Sequence, residues 1–378
     1  MSSISFTGPC SCCSVGFKAW YWGRNFDGQN GSGVGDGVTY IPTQIGSDSD
    51  WTSILVGAFG GAIGIKSDGT IWFWGKNFSG QNGNGVADGL IYAPMQIGSD
   101  SDWAAISLNN FGGVIGLKSD GTIWFWGASD CGQDGRGSGG GGIYTPTQIG
   151  TDSDWVAISL GDNIGALGLK SDGTIWFWGT NYYGQNGNGV ADGLIYAPMQ
   201  IGSDSDWATI SLGPFAGAMG LKSDGTIWFW GGNFRGQDGS GVSSSVIYVP
   251  TQIGFGVDWV YISINDVGGV IGLKSDGTIW FWGTNSWGGN GSGAADLLVH
   301  APMQIGSDSD WAAISLNNSV GALGLKSDGT IWFWGVNTYG QNGSGSGDFV
   351  VYAPMQIGVD FDWDSACINE TAVIAIKP

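Results

Sequence analysis

The chain holds few side chains of the kind that run acid–base or nucleophilic chemistry. Its single histidine, His300, stands where other copies of the same short stretch carry tyrosine (Tyr92, Tyr196), and it reads as a packed strand residue rather than a general base. Serines are abundant, but none has a credible base partner. Gly-x-Gly loops such as 81–85 lead into strands, whereas a phosphate cradle needs a helix N-terminus or a nest with a cation. Aspartates are the richest candidates: Ser47-Asp48-Ser49-Asp50 recurs at Asp100/Asp102, Asp152/Asp154, Asp204/Asp206 and Asp308/Asp310. Asp-x-Asp can contribute to a Ca²⁺ site, which takes about six or more oxygens, but no ordered Asp-x-Asp-x-Asp-Gly loop appears. Turn capping is the preferred reading, and no cofactor is expected. Cys10, Cys12 and Cys13 have no His or CxxC pattern beside them, so they read as free thiols of an N-terminal arm rather than metal ligands. The expectation is a chain without catalytic machinery.

Composition narrows the partners. The formal charge is −20, and only 12% of residues are charged. Phosphate binding needs clustered Lys and Arg, and an anionic membrane surface repels such a chain, so neither nucleic acid nor membrane insertion is expected. No apolar run approaches the roughly 18 residues of a membrane helix, and residues 1–20 show no secretory pattern. Five cysteines, odd in number and scattered, suit a reducing compartment. With 73 glycines and 22 tryptophans, the chain needs many tight turns and fills its core with large aromatics.

What must position any site is a repeat. Tryptophans after an Asp turn fall at Trp51, Trp103, Trp155, Trp207, Trp259, Trp311 and Trp363, in steps of 52 residues. Six copies of Ser-Asp-Gly-Thr-Ile-Trp-Phe-Trp-Gly begin at Ser67, Ser119, Ser171, Ser223, Ser275 and Ser327, and Trp20-Tyr21-Trp22-Gly23 is a degenerate seventh. A period of this size marks a propeller or a similar array. One copy reads as four strands, at Trp103–Leu108, Val114–Lys118, Thr122–Trp126 and Ile143–Ile149, which make one antiparallel blade. In its Ser119-Asp120-Gly121 turn, Asp bonds the backbone ahead and Gly takes the positive φ. Ile-Trp-Phe-Trp carries no polar alternation, so both of its faces are expected to be buried between stacked blades.

The ends predict closure. Trp363–Lys377 supplies only two strands, and Phe17–Trp22 is the missing third, so the termini share one blade and no sheet edge stays open. The fold expected is an all-β, seven-bladed propeller over 17–378, preceded by an arm of residues 1–16.

Gly75-Lys76-Asn77-Phe78-Ser79-Gly80-Gln81-Asn82-Gly83, with Ser67-Asp68-Gly69 before Trp72-Phe73-Trp74-Gly75, resembles the RCC1 repeat. The family pattern runs from a Gly-x-Asn-x-x-Gly-Gln-Leu-Gly loop to an Asp-Gly-x-x-x-x-Trp-Gly hairpin. The resemblance covers 17–378 and implies the same propeller. It implies less about function, because RCC1-like propellers include a nucleotide-exchange factor for a small GTPase, β-lactamase inhibitor proteins and many interaction modules. The family's His in Gly-x-x-His-x-x-Ala-Leu is absent here, where the stretch reads Leu108-Asn109-Asn110-Phe111-Gly112-Gly113-Val114. There is also no basic chromatin-binding tail. Both departures count against a nuclear exchange factor.

Alternating strand direction sorts the turns onto two ends. The Ser-Asp-Gly and Asp-rich turns share one end, which repeats almost unchanged. The other end varies: Phe26-Asp27, Phe78-Ser79, Asp130-Cys131, Tyr182-Tyr183, Phe234-Arg235, Ser286-Trp287 and Thr338-Tyr339. Its partner turns vary too, at Ala58-Phe59, Asn109-Asn110-Phe111, Asp162-Asn163, Pro214-Phe215, Asn265-Asp266 and Asn317-Asn318-Ser319. Trp287 is the one tryptophan outside every repeat position. Exposed aromatics with Asn, Asp and Arg are typical of recognition surfaces. The partner-binding residues expected are Trp287, Tyr182, Tyr183, Phe234, Arg235, Phe78, Tyr339 and Phe111, with Cys10, Cys12 and Cys13 in an arm that docks on neighbouring subunits. The function expected is non-enzymatic recognition of a protein or glycan, foremost as a virion-associated or surface-displayed adhesion or decoration protein. The alternatives are a soluble intracellular interaction scaffold or a propeller lectin; a virion or the cytoplasm suits the composition best.

Overall fold

A computed structural model describes residues 16–378 except 58–59, 138–140, 163, 214–216, 244–245, 266, 294–297, 317–320 and 348. The arm with Cys10, Cys12 and Cys13 lies outside the described residues, as do parts of the variable turns, including Phe59, Pro214, Phe215 and Asn317.

Seven antiparallel sheets of four strands form the ring. Among the described residues every regular element is a strand, and no helix is long and apolar enough to cross a membrane. Blades 2 to 7 are continuous in sequence, over 51–96, 103–148, 155–200, 207–252, 259–304 and 311–356. In blade 3 the strands are Trp103–Leu108, Gly113–Lys118, Ile123–Gly127 and Ile143–Gln148, within a residue or two of expectation. Blade 1 joins the two ends: Lys18–Arg24 pairs on one side with Val38–Gln44 and on the other with Ala372–Lys377, which pairs with Ser365–Ile368.

Burial follows strand position. The second strand of blade 3 is buried throughout, while the fourth, Ile143–Gln148, is largely open. The third strand departs from expectation. Phe125 and Trp126 are fully buried, but Trp124 is only half-buried, and the same holds for the first tryptophan of each Trp-x-Trp pair in blades 2 to 7. Its ring lies beside the edge of the core and carries a lysine.

Trp103, which opens the blade, packs edge-on against Trp124 and Trp126 with centroids 6.3 and 5.5 Å away, a geometry favoured by the ring quadrupoles. Glycine in the second strand makes room for it: a Cβ at Gly116 would sit 2.5 Å from the Trp103 ring. The Ser-Asp-Gly turn forms as expected. Asp120 accepts from the Thr122 amide at 2.9 Å, and Gly121 has φ 81°.

Adjacent blades are tied by a repeated bond. Trp126 Nε1 donates to the Gln81 carbonyl at 2.8 Å, across the blade 2–3 boundary. The same bond crosses the closure, where Trp22 Nε1 donates to the Gln341 carbonyl at 2.7 Å.

Candidate functional site

The Asp-rich turns prove to hold lysine. Lys118 lies between the Trp103 and Trp124 rings, 5.0 and 4.7 Å from their centroids, and its ammonium contacts Asp100 at 2.6 Å and Asp102 at 3.0 Å. Burial works to lower the Lys118 pKa, but the hydrogen bonds to Asp100 and Asp102 outweigh it, and the net shift is upward. Lys66, Lys170, Lys222 and Lys326 repeat this arrangement with the same balance. The expected turn-capping role therefore belongs to the Asp of Ser-Asp-Gly, while the Asp-x-Asp carboxylates, such as Asp100 and Asp102, pair with the ammonium of Lys118 further along the chain. Among the described residues no three His, Cys, Asp or Glu side chains gather as metal ligands do.

At the opposite end, the long loop between third and fourth strands is built by its polar residues. Asn77 Nδ2 donates to Asp88 at 2.7 Å, Asn77 Oδ1 accepts from the Asn82 amide at 2.9 Å, and Gln81 Oε1 accepts from the Ser79 amide at 2.8 Å. These bonds fold the loop inward and leave its variable pair at the tip. Phe26, Phe78, Tyr182, Tyr183, Phe234 and Trp287 are all exposed there, while Tyr339 is half-buried. Phe111, on the neighbouring turn, is exposed as well.

The structure groups these residues unevenly. Tyr183 of blade 4 and Phe234 of blade 5 meet edge to face at 5.4 Å. Phe234 and Arg235 then line a cavity of about 510 Å³ with Gln237, Val267, Thr284, Ser286 and Leu298, at the blade 5–6 boundary. Phe78 and Phe111 line a second one, of about 250 Å³, with Lys76, Ser79, Gln81 and Asn110 at the blade 2–3 boundary. Trp287 stands apart from both cavities and packs at 5.8 Å on Phe349, a residue the sequence reading missed. The loop of Trp287 also has Gly289 where other loops have glutamine, yet the inter-blade bond persists, because Trp334 Nε1 donates to the Gly289 backbone carbonyl at 2.8 Å.

Charge distinguishes the larger cavity. Arg24 pairs with Asp27 at 3.3 Å and Arg136 with Asp134 at 2.9 Å, but Arg235 has no carboxylate partner among the described residues. Thr284 Oγ1 is buried there without a hydrogen-bond partner. An open guanidinium beside an exposed phenyl ring suits a ligand that brings an acceptor and an apolar group together. His300 sits on its fourth strand as expected, but its side chain is exposed rather than packed.

A closed ring of seven four-stranded blades, with structural polar loops and variable tips, defines a seven-bladed β-propeller. No family model matches the chain. It is 24% identical over 363 residues to human HERC2, an E3 ubiquitin-protein ligase, covering 89% of this chain but only 7% of that protein's length. It is 23% identical to the mitochondrial RCC1 domain-containing protein RUG3 of Arabidopsis thaliana, over 85% of this chain and 78% of RUG3. The structure of Prp20p from Saccharomyces cerevisiae, which has binding properties toward Gsp1p and histones, superposes with a TM-score of 0.80 at 17% identity, covering 96% of this chain and 91% of Prp20p. The homologues are RCC1-domain proteins, and the chain is an RCC1-like propeller.

Proposed function

We propose that the chain is a protein-interaction module whose partner docks on the variable-loop end, anchored at the cavity between blades 5 and 6. The observation that carries this reading is Arg235, without a carboxylate partner among the described residues, lining a cavity of about 510 Å³ beside exposed Phe234. The fold itself requires neither residue: the position of Phe234 is Asp130, Tyr182, Ser286 or Thr338 in four other copies, and no other copy has arginine at the position of Arg235. A carboxylate or carbonyl of the partner would serve as the acceptor for Arg235, and Phe234 with Tyr183 supplies the apolar contact. The relatives support an interaction scaffold: Prp20p is described by its binding to Gsp1p and histones, and HERC2 is a ligase of which this chain matches a small part. They lend no support to display on a virion.

Site-specific photo-crosslinking tests this. A benzoyl-phenylalanine at position 234 or 182, on the variable end, is compared with one at 101 or 205, on the Asp-rich end, in lysate of the source cells. A discrete adduct from 234 and 182 that disappears in the Arg235→Ala background is expected. Adducts from 101 and 205 alone would reverse the assignment.

A further inference from the structure

The Asp-rich end is not uniform, and its one incomplete lysine cage lies at blade 6. In six turns a carboxylate stands two residues before the Asp-Trp pair: Asp48, Asp100, Asp152, Asp204, Asp308 and Asp360. In the seventh the residue is Gly256. Lys274 is still sandwiched by Trp259 and Trp280, at 4.9 and 4.6 Å, but it has one carboxylate, Asp258, at 3.2 Å. Its side chain is 18% exposed, against 8–11% for the other six. Each complete cage carries one ammonium and two carboxylates, net −1; this one is neutral.

The gap also uncovers a donor. The indole N–H groups of Trp51, Trp103, Trp155, Trp207, Trp311 and Trp363 are sealed in the protein, and that of Trp259 is not among them. A Cβ built at Gly256 would lie 3.0 Å from Trp259 Nε1, so the missing side chain leaves its space directly over that nitrogen. The Lys274 ammonium therefore faces a vacancy of aspartate size, bordered by the Trp259 N–H and by Asp258 Oδ1, 3.3 Å from the built Cβ; in the complete cages the aspartate pairs with the lysine and leaves the indole N–H without a partner. Around it the same turn replaces serines with apolar residues: Phe255 is 100% exposed and Val257 64%. Phe255 thus buries no area in the folded chain, and with Val257 it forms an apolar patch beside the cage.

We infer that this turn is a second interaction surface, which takes an acidic side chain of a protein partner into the place of the missing aspartate, with flanking apolar side chains laid on Phe255 and Val257. The incoming carboxylate restores the geometry seen at Asp100, where Lys118 holds its acceptor at 2.6 Å. Asp224 and Asp276, in the adjacent Ser-Asp-Gly turns, already accept from Thr226 and Thr278, so they are committed and do not fill the gap. Residues 1–15 contain no Asp or Glu and so do not supply the carboxylate. The surface lies at the end opposite Arg235 and stands or falls independently of the blade 5–6 cavity.

The test uses the full chain labelled with ¹⁵N-tryptophan and two probes, the blocked peptides acetyl-Leu-Glu-Phe-amide and acetyl-Leu-Gln-Phe-amide. The Glu peptide is expected to shift the Trp259 indole resonance saturably, with the Gln peptide at least about tenfold weaker, as befits loss of a charge-assisted bond. Gly256→Asp, which writes in the residue the other six turns use, should abolish the shift while leaving thermal unfolding unchanged or raised. Phe255→Ser should weaken it. An equal response to both peptides, no response of Trp259, or a shift that survives Gly256→Asp would overturn the proposal. Movement of the Trp259 resonance on simple dilution, without peptide, would assign the surface to a second copy of the chain instead.

Discussion

The ammonium of Lys377, next to last in the chain, lies 4.8 Å from the ring centroid of Trp20, near the start of the first strand. Trp363 stacks on the same ammonium at 4.6 Å, and Asp360 holds it at 2.6 Å. The cage that every other blade builds from one continuous segment is here assembled from both ends of the protein.

Closure should therefore carry stability for the whole ring. Trp22 is fully buried and bonds across to blade 7, so Trp22→Ala is expected to cost about 3–5 kcal/mol. Deleting residues 1–23 should cost more, because it reopens a sheet edge and empties half of the terminal cage. Calorimetry checks both, and an unchanged transition in the deletion would remove the closure argument.

The lysine cages set an alkaline limit. The Lys66, Lys118, Lys170, Lys222 and Lys326 pKa values are raised above 10.5, so their contribution is fully present below that value and is lost as pH rises through the folded-state value. The melting temperature should hold up to about pH 10 and fall above it. Lys118→Met should lower stability at neutral pH by about 1–2 kcal/mol, through loss of the cation–π contacts and exposure of two like charges.

An acid limit comes from different residues. Asp68, Asp120, Asp172, Asp224, Asp276 and Asp328 are held below 3.8, first by the Thr hydroxyl two residues on and then by its amide. Their contribution is present above that value and is lost as pH falls through the lowered ones. Unfolding followed by tryptophan fluorescence should begin below about pH 3.8 and shift to higher pH when Thr122→Val removes one of the hydroxyls.

Packing around Trp103 leaves no room for a methyl group. Gly116→Ala should destabilise by about 1–3 kcal/mol, since its Cβ would meet the Trp103 ring at 2.5 Å and the Trp126 ring at 3.2 Å. A denaturant midpoint equal to that of the parent would mean the ring shifts freely.

Much of this was readable in advance. Turn chemistry at Asp120-Gly121 and the Asp-Trp spacing located the blade 3 strands to within a residue or two, and the truncated last repeat located the closure. The role of Lys118 was not readable, because Asp100 lies on a different turn and meets it only once the hairpin has formed. For the same reason Trp124 gave no sign of being half-buried, as its type matches that of buried Trp126. The tips carrying Tyr183 and Phe234 were visible as variation, but their mutual contact and the cavity depend on how neighbouring blades are spaced. Phe349 lies just before a fourth strand, where variation drew no notice, so the partner of Trp287 was missed.

The most direct test of the interaction surface is the affinity of the captured partner for Arg235→Ala and Phe234→Ala, each with its melting temperature. A buried interface anchor is worth about 2 kcal/mol or more on truncation, or about 30-fold in Kd. The account predicts at least that loss in both variants with melting unchanged, and no loss in Ser205→Ala at the other end. Full affinity in both anchor variants, with a loss in Ser205→Ala, would contradict it.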